Sequence, residues 1–429
     1  MAEMKDSGIE WCGKIPISWN VMPNKYVMHK KKEICPKYNG EDILSLTMDG
    51  VIVRDLDAGG KMPASFDGYQ RVHPHNLLMC LFDYDVTPRC IGLIQNEGLT
   101  SPAYSQFVMK NGNDARYYYY YYLMIDNTKE LLHLAKNLRH SFTEDQLGII
   151  NTPVPPVEIQ KKIAKYLDQK CEDIDAVYVE IEKQIETLEE YKKSIITEAV
   201  TKGLDPDVEM KDSGIEWIGK MPKNWEIKKI KYVTKSINDI EHYMPNDSED
   251  TDKVPYLMIG DLKDKISDVD FEKCKHISRK DYKVLSIKGK NNKGDVIFAR
   301  YATIGTVMYI DENLDFLVSY ACLTIKPQNN IYGKFLFYYF KSKAFFEDVN
   351  QYINTNTQGN IGKESLSKTK IAVPSIRKQQ QIVKYLDIKC AEIDGVIVDK
   401  KKQLETLEQY KKSLIYEYVT GKKEVPDYE

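Results

Sequence analysis

Apolar and polar positions follow two different periods along this chain. Over residues 156–202 and 374–421, apolar side chains recur three and four apart in a charge-rich background. The first stretch has Ile174, Tyr178, Ile181, Ile185, Leu188 and Ile195, and the second has Ile393, Ile397, Leu404, Leu407 and Leu414. This spacing predicts two amphipathic helices, each with a heptad seam. Each begins at a proline, Pro156 or Pro374, and stops near a glycine, Gly203 or Gly421, the residue types favoured at those two ends. At ~1.5 Å per residue, each helix is on the order of 65 Å long. Neither can bury its seam alone, so the two are expected to pack antiparallel. Lys400 stands in the second seam where Ile181 stands in the first, which predicts imperfect pairing at that point.

Elsewhere the period shortens. Residues 254–262, 295–300, 305–310 and 316–325 are short runs rich in Val, Ile, Tyr and Phe and read as strands. Residues 333–346 read as one amphipathic helix, and the run Tyr117–Tyr122 falls at the same place in the first half. A helix this close to the end of a domain is expected to bury those tyrosines rather than offer them for base stacking.

The chain is also written twice. Met4 to Trp11 returns unchanged as Met210 to Trp217, and Gly13, Lys14, Pro16, Trp19, Lys25, Tyr26 and Val27 recur at Gly219, Lys220, Pro222, Trp225, Lys231, Tyr232 and Val233. A second block repeats at an offset of 219, with Lys165-Tyr166-Leu167-Asp168 matching Lys384-Tyr385-Leu386-Asp387 and Tyr191 to Ser194 matching Tyr410 to Ser413. The stretches between, 28–152 and 234–371, share little beyond scattered apolar positions. Two long repeats argue against a solenoid, whose units are short and numerous. The expected architecture is α+β: two unlike mixed α/β domains, residues 1–155 and 203–373, separated by two long antiparallel coiled-coil helices, 156–202 and 374–421, with a tail at 422–429 and a pseudo-two-fold internal repeat.

Composition agrees with this division. A chain of 429 residues that is 42% hydrophobic and 29% charged is long enough for several folded domains and too apolar to be disordered. Its eight cysteines are scattered without CxxC pairs, so reduced and mostly buried thiols are expected. No stretch approaches the ~20 apolar residues of a membrane span, and Met1 to Gly8 lacks the basic and apolar blocks of a secretory signal, so a cytoplasmic protein is expected. The net charge of −3 gives no sign of a nucleic-acid partner by itself. Its distribution is uneven: residues 208–374 hold 26 basic and 23 acidic side chains, whereas residues 156–200 hold 7 and 11.

Several chemistries lack their residues. Amino-methyl transfer needs a [DNS]PP[YF] motif, but Pro155-Pro156 is flanked by Val154 and Val157. The phosphate-cradling GxxxxGK[ST] loop is missing, since Gly362-Lys363 runs into Glu364. Pro206-Asp207 and Glu209-Met210-Lys211 imitate a nuclease site, yet a single intervening residue leaves no room for the turn between the usual two strands. His73 and His75 have no acidic or histidine cluster nearby in sequence, so surface or structural roles are expected.

The repeated KDSGIEW opening, the GDVIFARYATIGTV segment at Gly294 to Val307, and the helix running from a proline through Gln380, Tyr385-Leu386-Asp387 and Leu407 to Tyr410-Lys411-Lys412-Ser413 together resemble the specificity subunit of type I restriction-modification enzymes. The resemblance spans essentially the whole chain. It implies a non-catalytic, DNA-binding subunit in which each insert reads one half of an interrupted double-stranded target. The helices would dock two methyltransferase subunits and set the gap. S-adenosylmethionine, ATP and magnesium would belong to those modification subunits and to translocating restriction subunits, with no cofactor, metal or membrane partner in this chain.

Loop residues able to meet base edges or phosphates are then the candidates. In the second insert these are Arg300, Tyr301, Asn354, Thr355, Thr357 and Gln358, with Lys229, Lys231, Lys290 and Lys293 for phosphates. In the first they are Arg89, Ser105, Arg139, His140 and Ser141; there His75-Asn76-Leu77-Leu78 stands where the second has Gly294-Asp295-Val296-Ile297. A two-domain protein adaptor on a coiled-coil spacer explains the charge equally well, and a steep fall of duplex affinity with salt distinguishes DNA binding from it.

Overall fold

The computed structural model describes residues 3–58, 63–135, 140–240, 242–301, 303–353 and 359–426. Among these the α-helices are α1 (Ala115–Thr128), α2 (Glu144–Ile149), α3 (Val157–Lys202), α4 (Arg279–Gly289), α5 (Gly333–Phe340), α6 (Lys343–Asn350), α7 (Lys363–Lys368) and α8 (Ile376–Val419). The chain forms two compact units, residues 1–181 with 401–429, and residues 182–400. Each unit contains part of α3 and part of α8.

In the first unit the main sheet runs in the order Met28–Lys31, Ser105–Met109, Leu77–Met79, Ile91–Leu93, all antiparallel, with α1 packed on the last strand. The second unit repeats this order with Thr234–Asn238, Cys322–Pro327, Val296–Ala299 and Val307–Tyr309, and α5 packs on the last strand. The register also repeats: Leu77 faces Leu93 and Phe107, and Val296 faces Tyr309 and Ile325. His75 and Gly294, just before these strands, both have left-handed backbones, at φ 63° and 96°. The inserts, expected to be unlike, therefore differ in sequence but share one fold. Short strands need only apolar residues at buried positions, so many sequences satisfy one topology.

The predicted elements are cut more finely than their apolar runs. Tyr256–Leu257 pairs in parallel with Leu317–Val318, after which the chain turns at Ser319 and enters the main sheet at Cys322. The helix expected over residues 333–346 is two, α5 and α6, because Ser342 breaks it and its Oγ accepts from the Phe345 N–H at 3.2 Å. Nor is α5 amphipathic, since all of Phe335–Phe340 is buried.

Both units lock a helix to the frame with polar residues at matching positions. Tyr120 on α1 donates to one carboxylate oxygen of Asp168 at 2.9 Å while Arg116 reaches the other at 3.0 Å. Tyr338 and Lys334 on α5 do the same to Asp387, each at 2.7 Å. Gln160 and Gln379, both fully buried, each donate to the carbonyl of the proline before their helix and accept a backbone N–H from the insert. The sequence resemblance rested on the neighbouring Gln380, which is exposed.

The repeated opening motif meets the helix ends. In the first unit Pro16 and Trp19 cover Gly421 beyond α8; in the second, Pro222 and Trp225 cover Gly203 beyond α3. Antiparallel pairing of the long helices is seen within each unit. In the first, Tyr166 meets Tyr418 with ring centroids 4.6 Å apart, and Lys411 pairs with Asp175 at 2.6 Å. In the second, Lys192 pairs with Asp394 at 2.6 Å, and Lys400 donates to Gln184 Oε1 at 2.5 Å. Ile174, Ile181, Ile393, Ile397 and Leu414 of the predicted seam are buried and the rest are half-buried, in keeping with a polar interruption at Lys400.

Candidate nucleic-acid interface

In the second unit, strand Val296–Ala299 delivers Arg300 and Tyr301 to its end. The guanidinium pairs with Asp239 at 2.6 Å, lies 5.0 Å over the Tyr301 ring and donates to the Tyr301 hydroxyl at 3.3 Å. With its side chain 12% exposed, Arg300 is held firmly, and its Nε is a buried donor without a partner among the described residues. Residues 359–361 return beside it: Ile361 N–H donates to the Arg300 carbonyl at 3.1 Å, and Tyr301 bridges to Asn360. Lys363 approaches Asp239 to 3.8 Å. Asn354, Thr355, Thr357 and Gln358 lie outside the described residues, immediately before this return.

Lys290 and Lys293 sit at the opposite end of the same strand. The Lys290 carbonyl accepts from Lys326 Nζ at 2.7 Å, and the Lys293 N–H donates to Asn313 Oδ1 at 3.1 Å. Lys229 and Lys231 occupy a third place. Lys229 lines an open groove of about 440 Å³ with Ile227, Lys228, Tyr232 and Lys370, and Lys231 lies 4.8 Å over the Tyr232 ring. The second-unit candidates thus fall into three groups.

In the first unit, the residues in register with Arg300 and Tyr301 are Leu81 and Phe82, with Phe82 stacked on Tyr104 at 6.0 Å. Arg89 belongs to the following loop, beside the Tyr119 phenol, whose pKa is raised by burial and partly restored by Arg89. His140 joins that loop: its Nδ1 is 2.7 Å from Asp85, and its carbonyl accepts the Tyr84 N–H at 3.2 Å. Ser141 is half-buried next to it. Arg139 lies outside the described residues. Ser105 is set apart, buried in the sheet with its hydroxyl donating to Glu144 at 2.9 Å. Sequence reasoning overlooked Asp239, Lys363, Phe82 and Tyr104; extending the 219-residue offset past His75 would have brought out Phe82.

Other sequence expectations meet the structure directly. Tyr117, Tyr118, Tyr120, Tyr121 and Tyr122 are buried in the first core, not displayed for stacking. Seven of the eight cysteines are buried, Cys35 being half-exposed, and all are free thiols. His73 Nε2 is 3.1 Å from Glu33, and Glu209 pairs with Lys223 at 2.7 Å. Among the described residues no group of His, Cys, Asp or Glu is arranged to hold a metal, and no helix is long and apolar enough to cross a membrane.

Two copies of one mixed α/β fold, each locked by a tyrosine and a cation to a long repeated helix, define a duplicated two-domain helical-spacer protein. A sequence profile described as the type I restriction modification DNA specificity domain matches residues 93–189 and 222–406, more than half of the chain, and the chain belongs to that family. It is 29% identical over 285 residues to the type I restriction enzyme MjaVIII specificity subunit of Methanocaldococcus jannaschii, covering 64% of this chain and 62% of that one. It is 21% identical over 250 residues to the EcoBI specificity subunit of Escherichia coli, covering 57% and 52%. The chain thus spans less than two thirds of the length of these curated relatives. Among solved structures, a chain from a study of complex assembly and conformational transition of the type I R-M system aligns with a TM-score of 0.67 at 13% identity, over 94% of this chain and 98% of that one. The HsdS subunit from Thermoanaerobacter tengcongensis aligns at 0.50 and 14% identity, over 95% and 98%. At these identities the two structures speak to the fold alone.

Proposed function

We propose that this chain is the DNA-specificity subunit of a type I restriction-modification complex. Residues 1–155 and 203–373 each read one half of an interrupted duplex target, and the long helices dock the methyltransferase subunits and set the gap. Methyl transfer with S-adenosylmethionine, and ATP- and magnesium-dependent translocation and cleavage, belong to the modification and restriction subunits. One observation carries this reading: two units of the same strand order and register place different side chains, Leu81-Phe82 and Arg300-Tyr301, at the same strand end. A shared scaffold with exchanged loop residues suits two different half-sequences, because bases are read by side chains while the scaffold only positions them.

The base-reading candidates are Arg300 and Tyr301 with the segment 354–358 in the second domain, and Arg89, Arg139, His140 and Ser141 in the first. Lys229, Lys231, Lys290 and Lys293 are assigned to phosphates. Ser105, whose hydroxyl donates to Glu144, is a separate candidate in the first domain. The test replaces residues 28–152 with the matching segment of a relative in the assembled complex and sequences the methylome. One half of the target should change while the other is kept. Alteration of both halves would overturn the modular reading.

A further inference from the structure

We infer that a strip of five lysines peculiar to the second unit, Lys228, Lys229, Lys363, Lys368 and Lys370, seats the phosphate backbone of duplex DNA, so that the two domains grip DNA unequally. Lys228, Lys229 and Lys370 line the open groove of about 440 Å³ beside Tyr232. Helix α7, carrying Lys363 and Lys368, packs against residues 230–232 and 234–238 and leads directly into the strand that begins at Lys370. The strip therefore runs from the groove, along α7, to the Arg300 site.

The first unit has the same elements without the charge. Pro23 faces Asn151 as Lys229 faces Lys370, and Met22 faces Thr152 as Lys228 faces Ile371. Helices α2 and α7 have six residues each, and each ends two residues before its strand. Met22, Pro23, Glu144, Ile149 and Asn151 thus occupy the five positions, and Glu144 is itself paired with Lys30. Burial does not explain the lysines, since Lys229, Lys363 and Lys368 are exposed and Lys228 and Lys370 half-exposed. The facing acids are few: Glu226 pairs with Lys228 at 3.0 Å, Asp239 lies 3.8 Å from Lys363, Glu364 is on α7, and the buried Asp348 accepts the Lys370 backbone N–H at 2.6 Å. Among the described residues, Lys229, Lys368 and Lys370 have no carboxylate within ion-pairing distance.

Ammonium groups along an open groove suit a row of phosphates, and their contacts strengthen binding to any sequence alike. Each phosphate neutralised releases counterions and steepens the salt dependence of log K by roughly 0.9. Most of that dependence should then come from the second domain.

This inference rests on the DNA-specificity reading, and its test separates the two. In the assembled complex, duplex binding is titrated against salt on target and on random DNA. The variant K228Q/K229Q/K363Q/K368Q/K370Q should flatten the slope by about 2 to 4 and weaken both duplexes by the same factor, at least ~30-fold near 0.1 M salt, leaving their ratio unchanged. The control K263Q/K265Q/K273Q/K280Q/K283Q, five exposed lysines of the same unit, should leave the slope as it was. The converse variant I149K/N151K, at two exposed positions of the first unit, should steepen it by about 1 to 2, a gain that misfolding cannot produce. An unchanged slope in the five-lysine variant, or an equal loss in the control, would overturn the strip while the specificity reading stands. A wild-type complex that prefers no duplex sequence would overturn the specificity reading itself.

Discussion

The Tyr338 hydroxyl donates to Asp387 at 2.7 Å, tying a nearly all-buried helix of the second unit to the start of α8. Lys334, only 15% exposed, completes the carboxylate from the other side. Burial pushes the Tyr338 phenol above its ordinary value, and the neighbouring carboxylate adds to the shift, so the hydroxyl stays a donor at any working pH. Asp387→Ala leaves a half-buried ammonium and a phenol without their acceptor. A loss of about 1–3 kcal/mol is expected, reduced from that of a fully buried pair because Asp387 is partly exposed. Tyr338→Phe removes one hydrogen bond and should cost about 1 kcal/mol. Urea unfolding followed by the fluorescence of Trp217 and Trp225 in the same unit measures both, and a larger loss in Tyr338→Phe would contradict this ranking.

Gly203 and Gly421 end the two long helices in the left-handed region, at φ 81° and 68°. Alanine at either position carries that backbone penalty, about 1–2 kcal/mol. The surroundings then separate the two. A Cβ at Gly203 would come 3.2 Å from the Trp225 ring, whereas one at Gly421 would come 2.5 Å from Pro16 and 2.8 Å from Trp19. Gly421→Ala should therefore destabilise its unit by at least ~1 kcal/mol more than Gly203→Ala does its own. Thermal melts with limited proteolysis of each unit would show this, and equal losses would mean that the Trp19 contact yields freely.

Asp348 is a buried carboxylate whose pKa is raised by burial, partly countered by the Lys370 N–H donated to it at 2.6 Å. An acid whose folded pKa exceeds its unfolded one contributes its stability fully below the unfolded value of about 3.9 and loses it as pH rises through the folded value. Asp348→Asn keeps an oxygen to accept from Lys370 and carries no charge. Its stability relative to the native chain should rise between acid and neutral pH. Denaturant titrations at a series of pH values test the sign, and a difference that falls with pH would contradict it.

Arg300 is held by Asp239 and by Tyr301 at the end of its strand, and the base-reading role proposed for it would bring its guanidinium to a base edge when DNA binds. In the assembled complex, Arg300→Ala should relax one position of one half-target at a cost of about 1–3 kcal/mol, leaving the other half unchanged. Asp239→Asn should relax the same position to a lesser degree. Binding competition against single-base variants of the target measures this. A uniform loss over all variants would make Arg300 a phosphate contact instead.

The sequence by itself determined the frame. The helix seam is a local period, the proline and glycine bounds are local backbone chemistry, and the repeated Tyr-Leu-Asp and Pro-x-x-Trp motifs serve the same contacts in both copies: Asp168 and Asp387 each meet a tyrosine and a cation, and Trp19 and Trp225 each cover a helix-ending glycine. The inserts obey a looser rule. Three-residue strands such as Leu77–Met79 need only apolar residues, so their equivalence to Val296–Ala299 became visible through pairing register and not through identity. Tertiary packing also decided what no local pattern carries: that Ser342 splits one apolar run into two helices, and that Arg300 finds Asp239 sixty-one residues away. Periodicity records which side of an element is buried. Only the folded chain settles which charges and loops meet, because those contacts join residues far apart in sequence.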